Sequence, residues 1–152
     1  MTHVRCARAA AVAASLLCLV VFPTVLHADP QDDIDYRQHV MKILGAQLDA
    51  IQLMLQKKVP ADNLVAHTQI LADTAAMSKG AFKPDVPGGK AKPDVWTNWT
   101  DFSKRLDEFA ADTAALARAA QAGGVGEMAP KLQASIADCQ SCHENYETPE
   151  KK

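Results

Sequence analysis

Two cysteines and a histidine near the C-terminus are the residues whose types and spacing could do chemistry. Cys139 and Cys142 are three positions apart, and His143 follows the second cysteine directly. A C-x-x-C-H segment is the attachment signal for a c-type haem. On a helix, both sulfurs can reach vinyl-derived carbons on one edge of the porphyrin, while His143 places an imidazole nitrogen on the iron. The segment therefore predicts one haem c, held by two thioether bonds.

Other uses of Cys139 and Cys142 have to be weighed against haem attachment. In an oxidising compartment the two could form a disulfide, which would make the chain a haem-free helical module. A thioredoxin-like redox pair would follow a strand in a βαβ unit. Zinc would need further ligands, and the chain after its N-terminal segment has no second cysteine pair. The complete motif, including His143, favours haem.

The first 28 residues have the pattern of a secretory signal peptide. Arg5 and Arg8 form a basic start, and residues 9–22 form an almost unbroken apolar run of 14 residues. This run is shorter than the roughly 20 residues that a membrane-spanning helix needs. A small residue, Ala28, ends the segment, so we expect cleavage after it. The mature chain would be residues 29–152, exported to an oxidising compartment, the periplasm of a bacterium.

The composition of the chain narrows the remaining classes of function. Its 152 residues suit one domain, and a formal net charge of −2 gives no support to a nucleic-acid partner. Cys6 and Cys18 would leave with the signal peptide, so the mature chain would keep only Cys139 and Cys142. Aromatic residues make up 5% of the sequence, which leaves little bulk to fill a core. A buried porphyrin would supply that volume.

Apolar residues recur every three or four positions in four segments of the mature chain, as they do in amphipathic helices. Proline and glycine residues separate the segments, and the longest break, residues 80–93, contains three of each. Pro60 lies near the first turn of the second predicted helix. No segment alternates with a period of two, so we predict an all-α, antiparallel four-helix bundle with covalently attached haem c. The predicted helices cover residues 32–58, 61–79, 95–122 and 127–146.

In these features the sequence resembles the class II cytochromes c, the family that includes the cytochromes c′. The marks of that family are a secreted chain, a mature four-helix bundle of this size, and C-x-x-C-H close to the C-terminus. The resemblance covers the whole mature chain. Two further stretches that match are Tyr36-Arg37-Gln38 with Met41 on the first helix, and Lys92-Pro93-Asp94-Val95-Trp96 leading into the third.

The resemblance implies roles for individual residues. Cys139 and Cys142 would form the thioethers, and His143 would be the proximal axial ligand of the iron. Arg37 and Gln38 would line the haem edge, where the arginine would pair with a propionate. From its position alone, Arg37 could instead be a solvated helix residue.

Two positions outside the motif also bear on the haem. The resemblance places Lys90 in the loop that approaches the cofactor. Glu147, four residues after His143, departs from the family, which often has an arginine or lysine there. A carboxylate near the proximal imidazole would favour ferric iron, relative to a cation.

Met41 decides which function the resemblance implies, because it lies four residues after Arg37 on the same helix face. In the low-spin branch of the family, a methionine at this spacing ligates the iron and raises its reduction potential. In the high-spin cytochromes c′, an apolar residue there leaves the iron five-coordinate and open to small gases. Methionine is also an adaptable core residue, so packing over the haem is the alternative to ligation. His39 points to the opposite face, and His67 suits a polar boundary position better than a ligand role.

Three functions correspond to these alternatives. The first is a periplasmic monohaem cytochrome that transfers single electrons, with His143 and Met41 as metal ligands and periplasmic redox proteins as partners. The second is a five-coordinate, high-spin cytochrome c′ that binds nitric oxide or carbon monoxide. The third is the haem-free module with a Cys139–Cys142 disulfide. We expect the first, with no catalysed reaction and no membrane span after signal cleavage. The resemblance adds that homodimers through the first two helices are common in the family, and the sequence permits either a dimer or a monomer.

Overall fold

The computed structural model of the protein describes residues 29–149. The predicted signal peptide, residues 1–28, lies outside the described residues. Within them, four long helices and one short helix account for most of the chain, and none of them has the length and apolar character needed to cross a bilayer. The helices are α1 (Pro30–Leu55), α2 (Leu64–Ser78), α3 (Asp94–Thr97), α4 (Trp99–Gln121) and α5 (Val125–Tyr146).

The start of α1 shows how local sequence sets a helix end. Asp29 precedes the helix and accepts a hydrogen bond from the backbone N–H of Gln31 at 2.9 Å. Pro30 occupies the first position, where no N–H partner is needed. Asp32 and Asp33 place negative charge at the positive end of the helix dipole. These features fix the residue at which α1 begins.

The four long helices form the bundle that the sequence predicts. α1 packs on α2, α2 packs on α4, and α4 packs on α5, whereas α1 and α5 contact each other much less. The core of the bundle is aliphatic, with one aromatic cluster in which Phe102 meets the rings of Phe82 and Tyr146 edge to face, each at 5.0 Å between centroids. The prediction of an all-α four-helix bundle is confirmed.

The largest differences between the predicted and observed helix boundaries are at three places. α1 ends at Leu55, three residues early, and Lys57 adopts a left-handed conformation (φ 57°) just after it. α2 begins at Leu64, three residues later than predicted, because residues 61–64 form a turn, and Pro60 precedes that turn. The third predicted helix is divided at Asn98, whose backbone is not helical. The Asn98 side chain donates to the Tyr146 hydroxyl at 3.1 Å, a long-range bond that holds this break.

The predicted loop, residues 80–93, is tied to the end of α5. It begins as a 3₁₀ turn (Lys79–Phe82). The rest of the loop forms isolated β-bridges, and residues 29–149 contain no β-strand. One bridge joins Ala91 to Glu147, just after α5. On either side of it, the Lys92 N–H donates to the Tyr146 carbonyl at 2.9 Å, and the Thr148 N–H donates to the Lys90 carbonyl at 2.8 Å. The loop therefore closes one end of the bundle.

Candidate functional site

A cavity of about 410 Å³ opens between α1, α4 and α5, where the bundle is packed least tightly. Its volume lies within the range of natural ligand pockets. Aliphatic and aromatic side chains from all three helices form most of its wall, among them Leu44, Leu48, Phe102, Leu106 and Phe109. The six residues that the sequence singles out all line this one cavity, Arg37, Gln38 and Met41 from α1 and Cys139, Cys142 and His143 from α5.

Cys139 and Cys142 lie in the last turns of α5, and both are free thiols in the structure. Burial raises the pKa of each thiol to about 11, so both are protonated at neutral pH. The helix between them is fixed by Arg105 on α4, which donates to the Ser141 hydroxyl at 2.7 Å. The two sulfurs therefore meet the cavity from one rigid turn, with no disulfide between them.

His143 lies at the mouth of the cavity, with about half of its side chain exposed. Its Nδ1 atom lies 3.1 Å from Oε2 of Glu147, one helical turn later. Because Glu147 engages Nδ1, the other ring nitrogen, Nε2, is the one available to a metal. The second carboxylate oxygen of Glu147 lies 3.6 Å from Nζ of Lys90 in the loop.

Arg37 is buried, with 2% of its surface exposed, although it carries a full charge. Its NH2 donates to the Gly88 carbonyl at 2.8 Å, and its guanidinium lies over the Trp96 ring at 5.2 Å. Burial lowers the pKa of Arg37, with Asp33 acting in the opposite direction. Within residues 29–149, the buried NH1 atom has no hydrogen-bond partner. An unpaired buried donor at the edge of a cavity suits an anionic group of a ligand.

Met41 lines the cavity one turn after Arg37, together with Leu44 and Leu48. The other two histidines of the described chain lie elsewhere. His39 is exposed and its Nδ1 lies 2.6 Å from the Asp35 carbonyl, whereas Nδ1 of His67 lies 2.7 Å from Oε1 of Gln47. The cavity thus collects the motif residues and Met41, and neither of these histidines.

Comparison with known proteins identifies this arrangement. A family model for cytochrome c′ matches residues 32–147, which is most of the chain. The chain belongs to the cytochrome c′ family. A cytochrome c′ from Rubrivivax gelatinosus is 30% identical over 123 residues, covering 77% of this chain and 95% of the relative. A cytochrome c-556 from Agrobacterium tumefaciens is 26% identical over 117 residues, covering 75% of this chain and 95% of that protein.

A solved relative has the same fold. The nitric oxide complex of a variant of cytochrome c prime from Alcaligenes xylosoxidans superposes with a TM-score of 0.76 and 25% identity. The match covers 81% of this chain and 99% of that one. Haem c is the cofactor of the cytochrome c′ family, as the C-x-x-C-H motif predicts. The comparisons favour gas binding, the second of the three expected functions, over the electron transfer that we expected first.

The residues of this cytochrome c′ site fit a haem. A haem c is a flat, largely apolar molecule with one charged edge. Its site needs an apolar cleft, two thiols on one helical turn, an imidazole beside them and a cation at the charged edge. The cavity provides these features through its aliphatic walls, the two cysteines, His143 and the unpaired NH1 of Arg37. The haem-free disulfide module is not supported, because the proteins of this family carry a covalently bound haem c.

Sequence reasoning missed a polar network that supports the cysteine turn. Oδ2 of Asp101 accepts hydrogen bonds from the Tyr146 hydroxyl and from Nε of Arg105, each at 2.6 Å. The hydrogen bond from Tyr146 lowers the pKa of Asp101 most, and the hydrogen bond from Arg105 lowers it further. The four-residue spacing of Asp101 and Arg105 was a visible signal for a helix ion pair. The contacts to Tyr146 and Ser141 were not visible, because they join α4 to α5.

Proposed function

We propose that this cytochrome c′ binds a small gas, such as nitric oxide or carbon monoxide, at a haem c held in the cavity. The observation that carries the proposal is the cavity itself, which brings Cys139, Cys142 and His143 from α5 opposite an apolar wall on α1. The similar fold of a relative solved as a nitric oxide complex supports it. We propose no catalysed reaction, since the binding of a gas needs none.

Each residue of the site has a separate task in this proposal. A bound haem supplies an iron that takes up diatomic gases and cycles between the ferrous and ferric states. Cys139 and Cys142 anchor the cofactor through carbon–sulfur bonds, so that it is not lost by dissociation. His143 would supply a nitrogen ligand to the iron, and Arg37 would bind the anionic edge through NH1. Gln38 adds a polar contact at the same edge.

The apolar side chains of α1 would control which molecules reach a bound haem. Leu44, Leu48 and Met41 present no hydrogen-bond donor there, so the wall favours an uncharged diatomic molecule over water or an anion. This part of the wall would thus select the ligand class by size and polarity.

A second candidate function is one-electron transfer with Met41 as the sixth ligand. The observation in its favour is that Met41 lines the same cavity as His143, in a chain that also matches a cytochrome c-556. A neutral thioether stabilises ferrous iron and raises the reduction potential. Periplasmic redox proteins would then dock on the charged surface around the haem edge.

Absorption spectra and carbon monoxide titrations of the holoprotein and of Met41→Ala test the choice. Gas binding predicts a high-spin spectrum and ready carbon monoxide binding in the wild type, with affinity in Met41→Ala unchanged or raised. Electron transfer predicts a low-spin spectrum with a far-red methionine-to-iron band that Met41→Ala abolishes, and that outcome would overturn the first proposal. Met77→Ala is a matched control, because Met77 is exposed on α2 and outside the cavity.

The location and assembly expected from the sequence remain part of the proposal. Export to the periplasm rests on the signal pattern of residues 1–28 and on the membership of the family. A homodimer through α1 and α2 is supported by apolar side chains that these helices expose, and light scattering on the purified protein would check it. These side chains are Ile43, Leu53, Val65, Ile70 and Met77.

A further inference from the structure

We propose that Glu147 is a positioning residue that holds and polarises His143 and thereby favours ferric iron. The inference rests on the proposed role of His143 as the axial ligand. Its basis is the 3.1 Å contact between Nδ1 of His143 and Oε2 of Glu147. With a proton on Nδ1, the imidazole donates to the carboxylate, and Nε2 is left as the atom for the metal.

The structure fixes Glu147 from two sides. Its backbone N–H caps α5 by donating to the His143 carbonyl at 2.9 Å, which places both residues on one turn. Beyond the helix, the bridge to Ala91 and the bond from the Thr148 N–H to the Lys90 carbonyl hold its backbone against the loop. A long side chain on a frayed helix end would sample many positions. In this structure the backbone before and after Glu147 is held, which limits the positions that its carboxylate can reach.

A carboxylate on the outer nitrogen of a ligating histidine has known physical effects. It fixes the tautomer and the ring orientation, and it makes the inner nitrogen a stronger donor. A stronger anionic donor stabilises the more positive oxidation state, so the ferric form gains relative to the ferrous form. The positive charge of Lys90, 3.6 Å from the other carboxylate oxygen, opposes this effect only weakly, because the pair is partly exposed and screened by water.

Two substitutions of Glu147 separate the contact from the charge. Glu147→Gln removes the charge, and we expect the ferrous-to-ferric ratio at a fixed potential to rise about tenfold, which is about 59 mV for one electron. Glu147→Asp keeps the charge but shortens the side chain by one methylene, so it should shift the potential in the same direction. Spectroelectrochemistry measures the potential, and resonance Raman spectra of the ferrous protein measure the iron–histidine stretch, which should fall to lower frequency in both variants.

Glu144→Gln is the matched control. Glu144 carries the same charge directly after His143, but its contact with Lys92 runs through its backbone carbonyl. A shift in Glu144→Gln equal to that in Glu147→Gln, or wild-type values in Glu147→Asp, would overturn the proposal, because charge alone would then explain the potential. If Glu147→Gln folds poorly by circular dichroism, the Glu147→Asp result decides. Neither readout depends on gas affinity, so a failure of the proposed gas binding would leave this test intact.

Discussion

The carboxyl group of Asp138 lines the cavity beside Cys139, in a wall that is otherwise largely apolar. Its Oδ2 atom is buried and has no hydrogen-bond partner within residues 29–149. Burial raises its pKa to about 6, and the nearby carboxylates of Asp112 and Glu108 contribute. In the unfolded chain an aspartate titrates near pH 4. The folded protein therefore holds more protons than the unfolded chain between about pH 4 and pH 6.

The raised pKa of Asp138 predicts how stability depends on pH. Because the folded state binds the extra proton, the free energy of unfolding falls as pH rises from about 4 to 6, and this loss persists above pH 6. Asp138→Asn removes the titration, so it should stabilise the protein at pH 7 by at most about 3 kcal/mol and have little effect at pH 4. Urea unfolding of the holoprotein at several pH values measures this difference.

Asp49→Asn serves as the control for Asp138→Asn, because Asp49 is exposed on α1 and outside the cavity. Its stability should follow the wild type across the same pH range. A constant difference between Asp138→Asn and the wild type from pH 4 to pH 8 would contradict the raised pKa, since it would show an effect independent of the proton.

At the scale of elements, the loop after α2 positions the site through Gly88 and Gly89, which pack against α1. Gly88 has φ of +143°, and a Cβ built on it would lie 2.7 Å from Cδ1 of Ile34. The Gly88 carbonyl is also the acceptor for Arg37. The same turn therefore provides close packing, an unusual backbone conformation and the contact that holds the buried guanidinium.

Gly88→Ala should destabilise the protein by about 1–3 kcal/mol, because an L-residue is strained at this positive φ and the new Cβ presses on Ile34. The loop must move, and Arg37 loses its acceptor. Denaturant unfolding measures the loss, and a change in the reduction potential would report the displacement of Arg37. Gly126→Ala, in the first turn of α5, is the control, and it should be neutral or stabilising by up to about 1 kcal/mol, since nothing lies within 4 Å of the added carbon. Equal stability of the two variants would contradict the role of the loop.

Sequence reasoning succeeds where contacts lie within one helix. The spacing of Arg37 and Met41, of the two cysteines, and of His143 and Glu147 fixes each pair on one face, because the helix repeats every 3.6 residues. It fails where the contact spans the chain. The bond from Arg37 to Gly88, 51 residues away, and the division of the third helix at Asn98 depend on packing between elements, which no local pattern encodes.

At the scale of the whole molecule, the cavity lies between two helices of the bundle, α1 and α5, and the cofactor would join them. α1 and α5 make few contacts with each other, so the cavity of about 410 Å³ separates much of their facing surfaces. The walls of this cleft are largely apolar, so without the cofactor they would face water and lose the stabilisation that burial gives. The bundle and its cofactor are therefore expected to fold as one unit.

The double variant Cys139→Ser/Cys142→Ser tests this coupling. After extraction of haem that is no longer covalently attached, the protein should keep its far-ultraviolet helical signal, lose its near-ultraviolet signal and unfold without a sharp transition, because helices persist when specific packing is lost. Cys139→Ser alone is the control, since the remaining thioether should retain haem on a denaturing gel and preserve the sharp transition. A double variant that unfolds cooperatively with the wild-type free energy would show that α1 and α5 close the cavity by themselves, and that the haem adds function to a bundle already complete.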